Sequence, residues 1–321
     1  MTTSGLTRTC AGVACAAAVL IGTALPPEVA SAAENHPKTR QNTLTAMHGE
    51  AMAHASYHFY AGQAGHEHLG EPRRLFTDAA RTELHDHFTK EARLIHFVHG
   101  DAANLRESIK GEREEATRMY PRFAREARED KDYNAARLFS EIARDEARHA
   151  RDFTKALYAI THHGGHIPAG QKADPVRVVA GKPKVRSKRT LRNLETAMRG
   201  EAFANAKYTL YAEHAKARHP KVAELFRRAA AVELTEHFAG EAVLAGYVHD
   251  TADNLRRSIA GETYEATKMY PGFARTARAE GNLKAAALFT EIAGDEAAHA
   301  RAFKKALKHL HHHRPAGRTN S

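Results

Sequence analysis

At four places along this 321-residue chain a Leu-Phe pair is followed, seven residues after the phenylalanine, by a glutamate. Leu138-Phe139 leads to Glu146 and then His149, and Leu288-Phe289 leads to Glu296 and then His299. Leu75-Phe76 leads to Glu83 and then Asp86-His87, and Leu225-Phe226 leads to Glu233 and then Glu236-His237. Side chains three apart share one face of a helix. If the Leu-Phe pairs mark the buried stripe, these acids and imidazoles point inward beside them. Glu50, Glu112 and Glu115, with Glu201, Glu262 and Glu265, extend the set, and Tyr57 and Tyr208 stand two turns beyond Glu50 and Glu201. Buried, unpaired carboxylates would cost more than a domain's net stability of about 5–15 kcal/mol. They must be protonated, paired with arginine or neutralised by metal. Oxygen-rich ligation with one or two imidazoles suits iron or manganese.

The elements that position these residues are written twice. Gly49-Glu50-Ala51-Met52-Ala53 recurs as Gly200-Glu201-Ala202-Phe203-Ala204, and Met119-Tyr120-Pro121 as Met269-Tyr270-Pro271. Glu141-Ile142-Ala143 recurs as Glu291-Ile292-Ala293. The offset is 151 before the first interhelical loop and 150 after it, so that loop gained or lost one residue. Each unit is rich in Ala, Glu, Arg and Leu at helical spacing. Breaks at Gly70-Glu71-Pro72, Gly100-Asp101 and Glu129-Asp130-Lys131-Asp132 cut it into four helices. Short connections make neighbouring helices antiparallel, which predicts an up-down four-helix bundle from each repeat. Asp101 and Asp132 are expected N-caps, and Pro121 and Pro271 are expected to kink the third helix. Gly164 to Lys188 reads as a basic linker without period.

Composition narrows the chemistry. The only cysteines, Cys10 and Cys15, lie near the N-terminus, and there is no tryptophan. Residues 1–32 carry one basic side chain, an apolar run from Ala11 to Leu25 and Ala30-Ser31-Ala32, the pattern of a secretory signal peptide. Its removal would leave no thiol, excluding disulfides, thiol peroxidases and Cys-ligated metal or iron–sulfur centres. The expected location is therefore secreted or cell-surface, with no transmembrane anchor. The formal charge of +10 suggests nonspecific adhesion to anionic surfaces, because no motif reads a nucleic acid. His162, His163 and His166, and His309 with His311, His312 and His313 in a tail of residues 311–321, read first as solvated residues and second as loose metal capture.

The repeated unit resembles the rubrerythrin branch of the ferritin-like superfamily. The resemblance rests on Gly-Glu-x6-Tyr in helix one, Gly-Glu-x2-Glu followed by Met-Tyr-Pro in helix three, and Glu-x-x-His in helix four. It covers residues 41–160 and 189–310. It implies an all-α protein of two tandem ferritin-like four-helix bundles, each with two iron ions (manganese as the substitute). Family members typically reduce hydrogen peroxide to water, and ferritin-like relatives oxidise ferrous iron with dioxygen. By position the resemblance implies metal ligands Glu50, Glu83, Glu112, Glu115, Glu146 and His149 in the first repeat. In the second it implies Glu201, Glu233, Glu262, Glu265, Glu296 and His299. Tyr57, Tyr120, Tyr208 and Tyr270 match tyrosines beside the metal pair.

Two departures from the family pattern stand out. Where the family has a histidine three residues after the helix-two glutamate, this chain has Asp86 and Glu236, with His87 and His237 one residue later. The Leu-Phe register favours Asp86 and Glu236 as ligands, and a gap-free count in the second repeat favours His237. With carboxylates there, six negative charges per site would favour the ferric state. The other departure is the absence of a rubredoxin module, so peroxide reduction would need an external electron donor. Related bundles often dimerise, and the two units are expected to pack as a covalent version of such a dimer.

Overall fold

The computed structural model describes residues 36–162 and 164–312. The expected signal peptide, both cysteines, His163 and the tail from residue 313 lie outside the described residues. Eight helices account for nearly all of what is described, in two sets of four. The first set is α1 (Pro37–His66), α2 (Gly70–Thr82, continuing to Thr89–Leu94), α3 (Asp101–Glu114, continuing to Tyr120–Glu129) and α4 (Tyr133–Thr161). The second is α5 (Lys188–Ala215), α6 (Pro220–Val232, continuing to Ala239–Ala245), α7 (Thr251–Tyr264, continuing to Tyr270–Ala279) and α8 (Leu283–His312). The α1–α2 loop is 67–69 and its counterpart 216–219; the residue that the repeat offset removes from the second repeat comes out of the helix, because α5 ends two residues before the position equivalent to the end of α1.

The interruptions in the second and third helices of each repeat are π turns: Glu83–Phe88, Glu115–Met119, Glu233–Phe238 and Glu265–Met269. Each opens at a glutamate of the expected ligand set. A π turn adds one residue to the local period and is a frequent feature of functional sites. The break expected at Pro121 and Pro271 takes this form, because each proline falls at the start of the helix resuming after the turn.

The repeats are not the bundles. Helices α1 and α2 pack against α7 and α8, whereas α5 and α6 pack against α3 and α4. Phe76 of α2 packs on Phe303 of α8 at 5.1 Å between ring centroids, and Phe153 of α4 on Phe226 of α6 at 5.1 Å. The expectation that each repeat closes on itself is therefore corrected. The reason lies in the α2–α3 connection. Ferritin-like bundles use one long crossover. A crossover along α2, 25 residues from Gly70 to Leu94, must cover about 37 Å at helical rise. The connection 95–100 reaches at most about 20 Å fully extended. The chain steps sideways instead, handing its third and fourth helices to the neighbouring bundle.

The bundles meet through α1 and α5. Phe59 stacks on Phe238 with rings 2° from parallel, and Ser56 Oγ lies 2.7 Å from Tyr247 Oη. The expected caps serve tertiary contacts. The Asp101 carboxylate faces His214 Nδ1 at 2.8 Å and His219 Nδ1 at 2.6 Å. Asp132 accepts from the backbone N–H groups of Arg186 at 2.8 Å and Ser187 at 3.0 Å, holding the end of the linker.

The crossed arrangement has a direct test. If each repeat formed its own bundle, Glu83→Ala with Glu146→Ala would damage a single centre. Here that pair damages both, whereas Glu83→Ala with Glu296→Ala damages one. Metal analysis after anaerobic iron loading should find none in the first double variant and half the wild-type content in the second. The reverse pattern would refute the exchange.

Candidate metal centres

Each π turn carries an acid or imidazole to the middle of a bundle, where side chains from both repeats meet. In the first centre Glu50 and Glu83 come from α1 and α2, His87 from α2, Glu262 from α7, and Glu296 and His299 from α8. The second centre is its counterpart: Glu201, Glu233 and His237 with Glu112, Glu146 and His149. All twelve are buried except His299, which is 19% exposed.

In the first centre His87 Nδ1 lies 2.8 Å from Glu83 Oε2, 3.1 Å from Glu296 Oε1 and 3.5 Å from Glu50 Oε2. His299 Nδ1 lies 3.2 Å from Glu83 Oε1, 3.1 Å from Glu296 Oε2 and 3.4 Å from Glu262 Oε2. Glu83 and Glu296 each give one oxygen to either half. The centre thus comprises two four-ligand groups, Glu50-Glu83-His87-Glu296 and Glu83-Glu262-Glu296-His299, that share two carboxylates. The second centre repeats the pattern. Glu146 and Glu233 are shared between His237, at 3.1 and 2.8 Å, and His149, at 3.1 Å from each.

Of these close approaches only His149 Nδ1 with Glu146 Oε2 and His299 Nδ1 with Glu296 Oε2, each at 3.1 Å, have hydrogen-bond geometry. Both oxygens of Glu83 and both ring nitrogens of His87 are buried without a hydrogen-bond partner, as are those of Glu233 and His237. Orphaned groups of this kind are costly. A pair of cations would satisfy them, and hard carboxylate oxygens with two imidazoles fit iron or manganese. Four ionised carboxylates also balance two divalent ions.

The tyrosines hold the unshared carboxylates. Tyr57 donates to Glu262 and Tyr270 to Glu50, and in the second centre Tyr208 donates to Glu112 and Tyr120 to Glu201. Glu115 and Glu265 stand beside the centres without joining a four-ligand group. Their carboxylates lie over Gly200 and Gly49, where an added Cβ would sit 3.8 and 3.6 Å away.

Asp86 and Glu236, expected among the ligands, do not join the four-ligand groups, although Asp86 falls in an outer group with His87 and Asp295. Asp86 binds Lys90 Nζ at 2.7 Å, and Glu236 accepts from the backbone N–H of Asp174. The Leu-Phe register assumed an unbroken α-helix, and the π turn shifts the inward position by one residue. His87 and His237 therefore face the carboxylates through Nδ1. Their other ring nitrogens face Asp295 at 3.5 Å and Asp145 at 3.7 Å. The six-carboxylate charge count loses its premise, and with it the expected bias toward the ferric state. Sequence reasoning missed two buried acids, Glu91 and Glu241. The signal was present: Glu83-x3-His87-x3-Glu91 recurs as Glu233-x3-His237-x3-Glu241.

With this geometry, the comparisons with known proteins take on weight. A family model described as Rubrerythrin matches residues 42–157, 192–238 and 231–307. The chain belongs to the rubrerythrin family. It is 36% identical over 140 residues to a rubrerythrin of Porphyromonas gingivalis, covering 39% of this chain and 70% of that relative. It is 36% identical over 135 residues to nigerythrin of Nitratidesulfovibrio vulgaris, covering 38% and 67%. A putative rubrerythrin of Methanocaldococcus jannaschii is 34% identical over 148 residues, covering 39% and 72%. No solved structure matches the chain. The all-α architecture is thus that of two ferritin-like bundles of a di-iron carboxylate family. Among the described residues no helix is long and apolar enough to cross a membrane.

The two centres of this chain differ in their cover. The linker runs against α6, with Val176 N–H donating to the Thr235 carbonyl at 2.8 Å and Lys184 N–H to that of Leu244 at 2.8 Å. It passes so close to Gly246, at φ +60°, that a Cβ there would meet Pro183 N at 2.4 Å. The counterpart of Gly246 in the first repeat is His96, also at positive φ, where a side chain is accommodated. His149 is 4% exposed against 19% for His299. Of the expected capture histidines, His309 Nδ1 lies 3.1 Å from Glu71, and His162 stacks on Tyr158. A chelator should strip metal in two phases, the faster from the first centre. Glu296→Ala should abolish the fast phase and Glu146→Ala the slow one.

Burial sets the proton count. Burial and the charges of Glu296 and Glu83 push Glu50 well up, and burial and Glu146 push Glu201 up to about 8. Glu262 is pushed up to about 9 and Glu265 to about 8, in both cases chiefly by burial. Burial opposes charge on His299, but the facing carboxylates of Glu262, Glu296 and Glu83 carry it up to about 12. Against burial, the two histidines draw Glu83 down to about 2. The raised groups bind protons more firmly folded than unfolded, so their contribution is present at low pH and lost as pH rises through the raised values. Each extra proton weakens stability by about 1.4 kcal/mol per pH unit. Glu83 acts in the opposite sense only below its unfolded pKa. The melting temperature of the metal-free chain should therefore fall from about pH 5 to about pH 9. In the Mn(II)-loaded chain, metal displaces those protons and binds more tightly as pH rises, so the trend should flatten or reverse in thermal circular dichroism.

Proposed function

We propose that this chain is an exported rubrerythrin-type protein that holds two iron ions in each bundle and reduces hydrogen peroxide with electrons from an external donor. The observation that carries the reading is the sharing of Glu83 and Glu296, and of Glu146 and Glu233, between two imidazole-bearing halves. That arrangement suits a pair of ions, not a single one. The reaction consumes two electrons and two protons per peroxide and yields two waters. Bound iron would supply the redox equivalents and a Lewis-acidic site for peroxide. The residues supply the rest. Glu83, Glu296 and their counterparts would each offer one oxygen to either ion, and Tyr57, Tyr270, Tyr208 and Tyr120 fix one oxygen of each unshared carboxylate. The aromatic shell of Phe76, Phe303, Phe153 and Phe226 keeps bulk water away. Export rests on residues 1–32, and the external donor rests on the lack of thiols in the remainder.

Stopped-flow mixing of the anaerobic, reduced chain with peroxide and, separately, with dioxygen tests the reading. Peroxide should oxidise the centres at least tenfold faster than dioxygen, and Glu146→Ala with Glu296→Ala should abolish the reaction. Faster oxidation by dioxygen, with ferric product released or stored, would replace peroxide reduction by ferrous-iron oxidation and sequestration. Fewer than one metal per chain after anaerobic loading would refute the di-iron reading altogether.

A further inference from the structure

Each centre has an additional acid that no ligand pattern assigns. Glu91 stands four residues after His87 on α2, and Glu241 four residues after His237 on α6. Both are wholly buried, and neither belongs to a four-ligand group. The Tyr270 hydroxyl lies 2.9 Å from Glu91 Oε1 and also bonds Glu50 Oε1. The Tyr120 hydroxyl lies 3.1 Å from Glu241 Oε1 and also bonds Glu201 Oε1. The same three-group chain thus forms twice, although the linker covers only one of the two regions.

A phenol has one proton to donate and two carboxyl neighbours here. If both acids were ionised, one carboxylate oxygen would face the tyrosine oxygen with no proton between them. The closer contact is to Glu50, whose other oxygen, Oε2, turns toward His87 within the four-ligand group. With Glu50 ionised by the cation that its Oε2 would face, the phenol proton goes to Glu50 and Glu91 must be the donor, giving its own proton to the tyrosine oxygen. Its second oxygen, like that of Glu241, is buried without a partner. A neutral acid tolerates that far better than a carboxylate does. The direction of the chain is Glu91 to Tyr270 to Glu50, and Glu241 to Tyr120 to Glu201.

We propose that Glu91 and Glu241 are positioning residues that commit the hydroxyls of Tyr270 and Tyr120 to one oxygen of Glu50 and Glu201, leaving the other oxygen alone to face the cation. The proposal rests on the di-iron reading for its consequence. It makes the ligation of Glu50 and Glu201 one-oxygen by construction. Glu91→Leu removes the donor, frees the tyrosine and lets Glu50 turn. Glu91→Gln supplies a neutral N–H donor at the same place.

The test uses the full chain loaded with iron-57 and oxidised, with the Glu241 centre as an internal control for folding. Glu91→Leu should alter the Mössbauer parameters of half the iron and weaken ferrous binding at that half about tenfold, the size typical for loss of a group that orients a ligand. Glu91→Gln should restore both to wild type. A Glu91→Leu spectrum identical to wild type would overturn the proposal. So would a Glu91→Gln variant as perturbed as Glu91→Leu, since that would make the acid's own charge the active feature. Should the wild-type chain bind no iron, the di-iron reading fails separately. The hydrogen-bond chain is then judged on the Tyr270 hydroxyl proton in the metal-free protein. That resonance should keep its wild-type shift in Glu91→Gln and move in Glu91→Leu, which removes the group bonded to the tyrosine oxygen, and an unchanged shift in Glu91→Leu would refute the chain.

Discussion

Carboxylates shared between two imidazoles in a dry interior are the constraint on which the rest of this molecule depends. Glu83, Glu296, Glu146 and Glu233 sit where water cannot reach them and where no lysine or arginine is offered. Nothing in the bundles would tolerate them unless cations or protons took the place of solvent. The neighbouring structure follows from that need. π turns bring His87 and His237 around to the acids, and tyrosines occupy the outer oxygens. Phenylalanines close the space above and below.

The exchange of helices between repeats gives these centres a second role. Because each takes ligands from both halves of the chain, bound metal ties α1 and α2 to α7 and α8, and α5 and α6 to α3 and α4. Metal binding is then linked to the assembly of the two halves and not only to local ordering. The contact between the bundles, α1 against α5 with Phe59 stacked on Phe238 of α6, involves no metal ligand. The short α2–α3 connection and its counterpart at 246–250 are what forbid the simpler closure.

Much of this was legible in the residues. The duplication, the helix breaks and the Leu-Phe register identified Glu83, Glu146, Glu233 and Glu296 because side-chain period is a local property. The choice of Asp86 over His87 failed for a local reason as well, since a π turn changes the period that the count assumes. The partnering of the repeats was not legible at all. Both repeats carry the same ligand types at the same positions, so a centre built within one repeat and a centre built across two read identically in sequence. Connection length is the one discriminating signal, and a short connection is equally compatible with an antiparallel neighbour in the same bundle. Glu91 and Glu241 were overlooked because ligand-like spacing was sought at three residues and not at four.

The corrected ligand set also changes the charge argument. Four ionised carboxylates and two neutral imidazoles balance two ferrous ions, whereas six carboxylates would have balanced two ferric ones. The acids that remain nearby, Glu91 and Glu265 with Glu241 and Glu115, are all pushed up chiefly by burial. In the metal-free chain they therefore hold their protons and add no further negative field. On the proposed function, a four-carboxylate centre would not penalise the reduced state that a peroxide-consuming cycle regenerates at every turnover. The same neutrality that makes the interior tolerable leaves protonated acids within reach of a reaction that consumes protons.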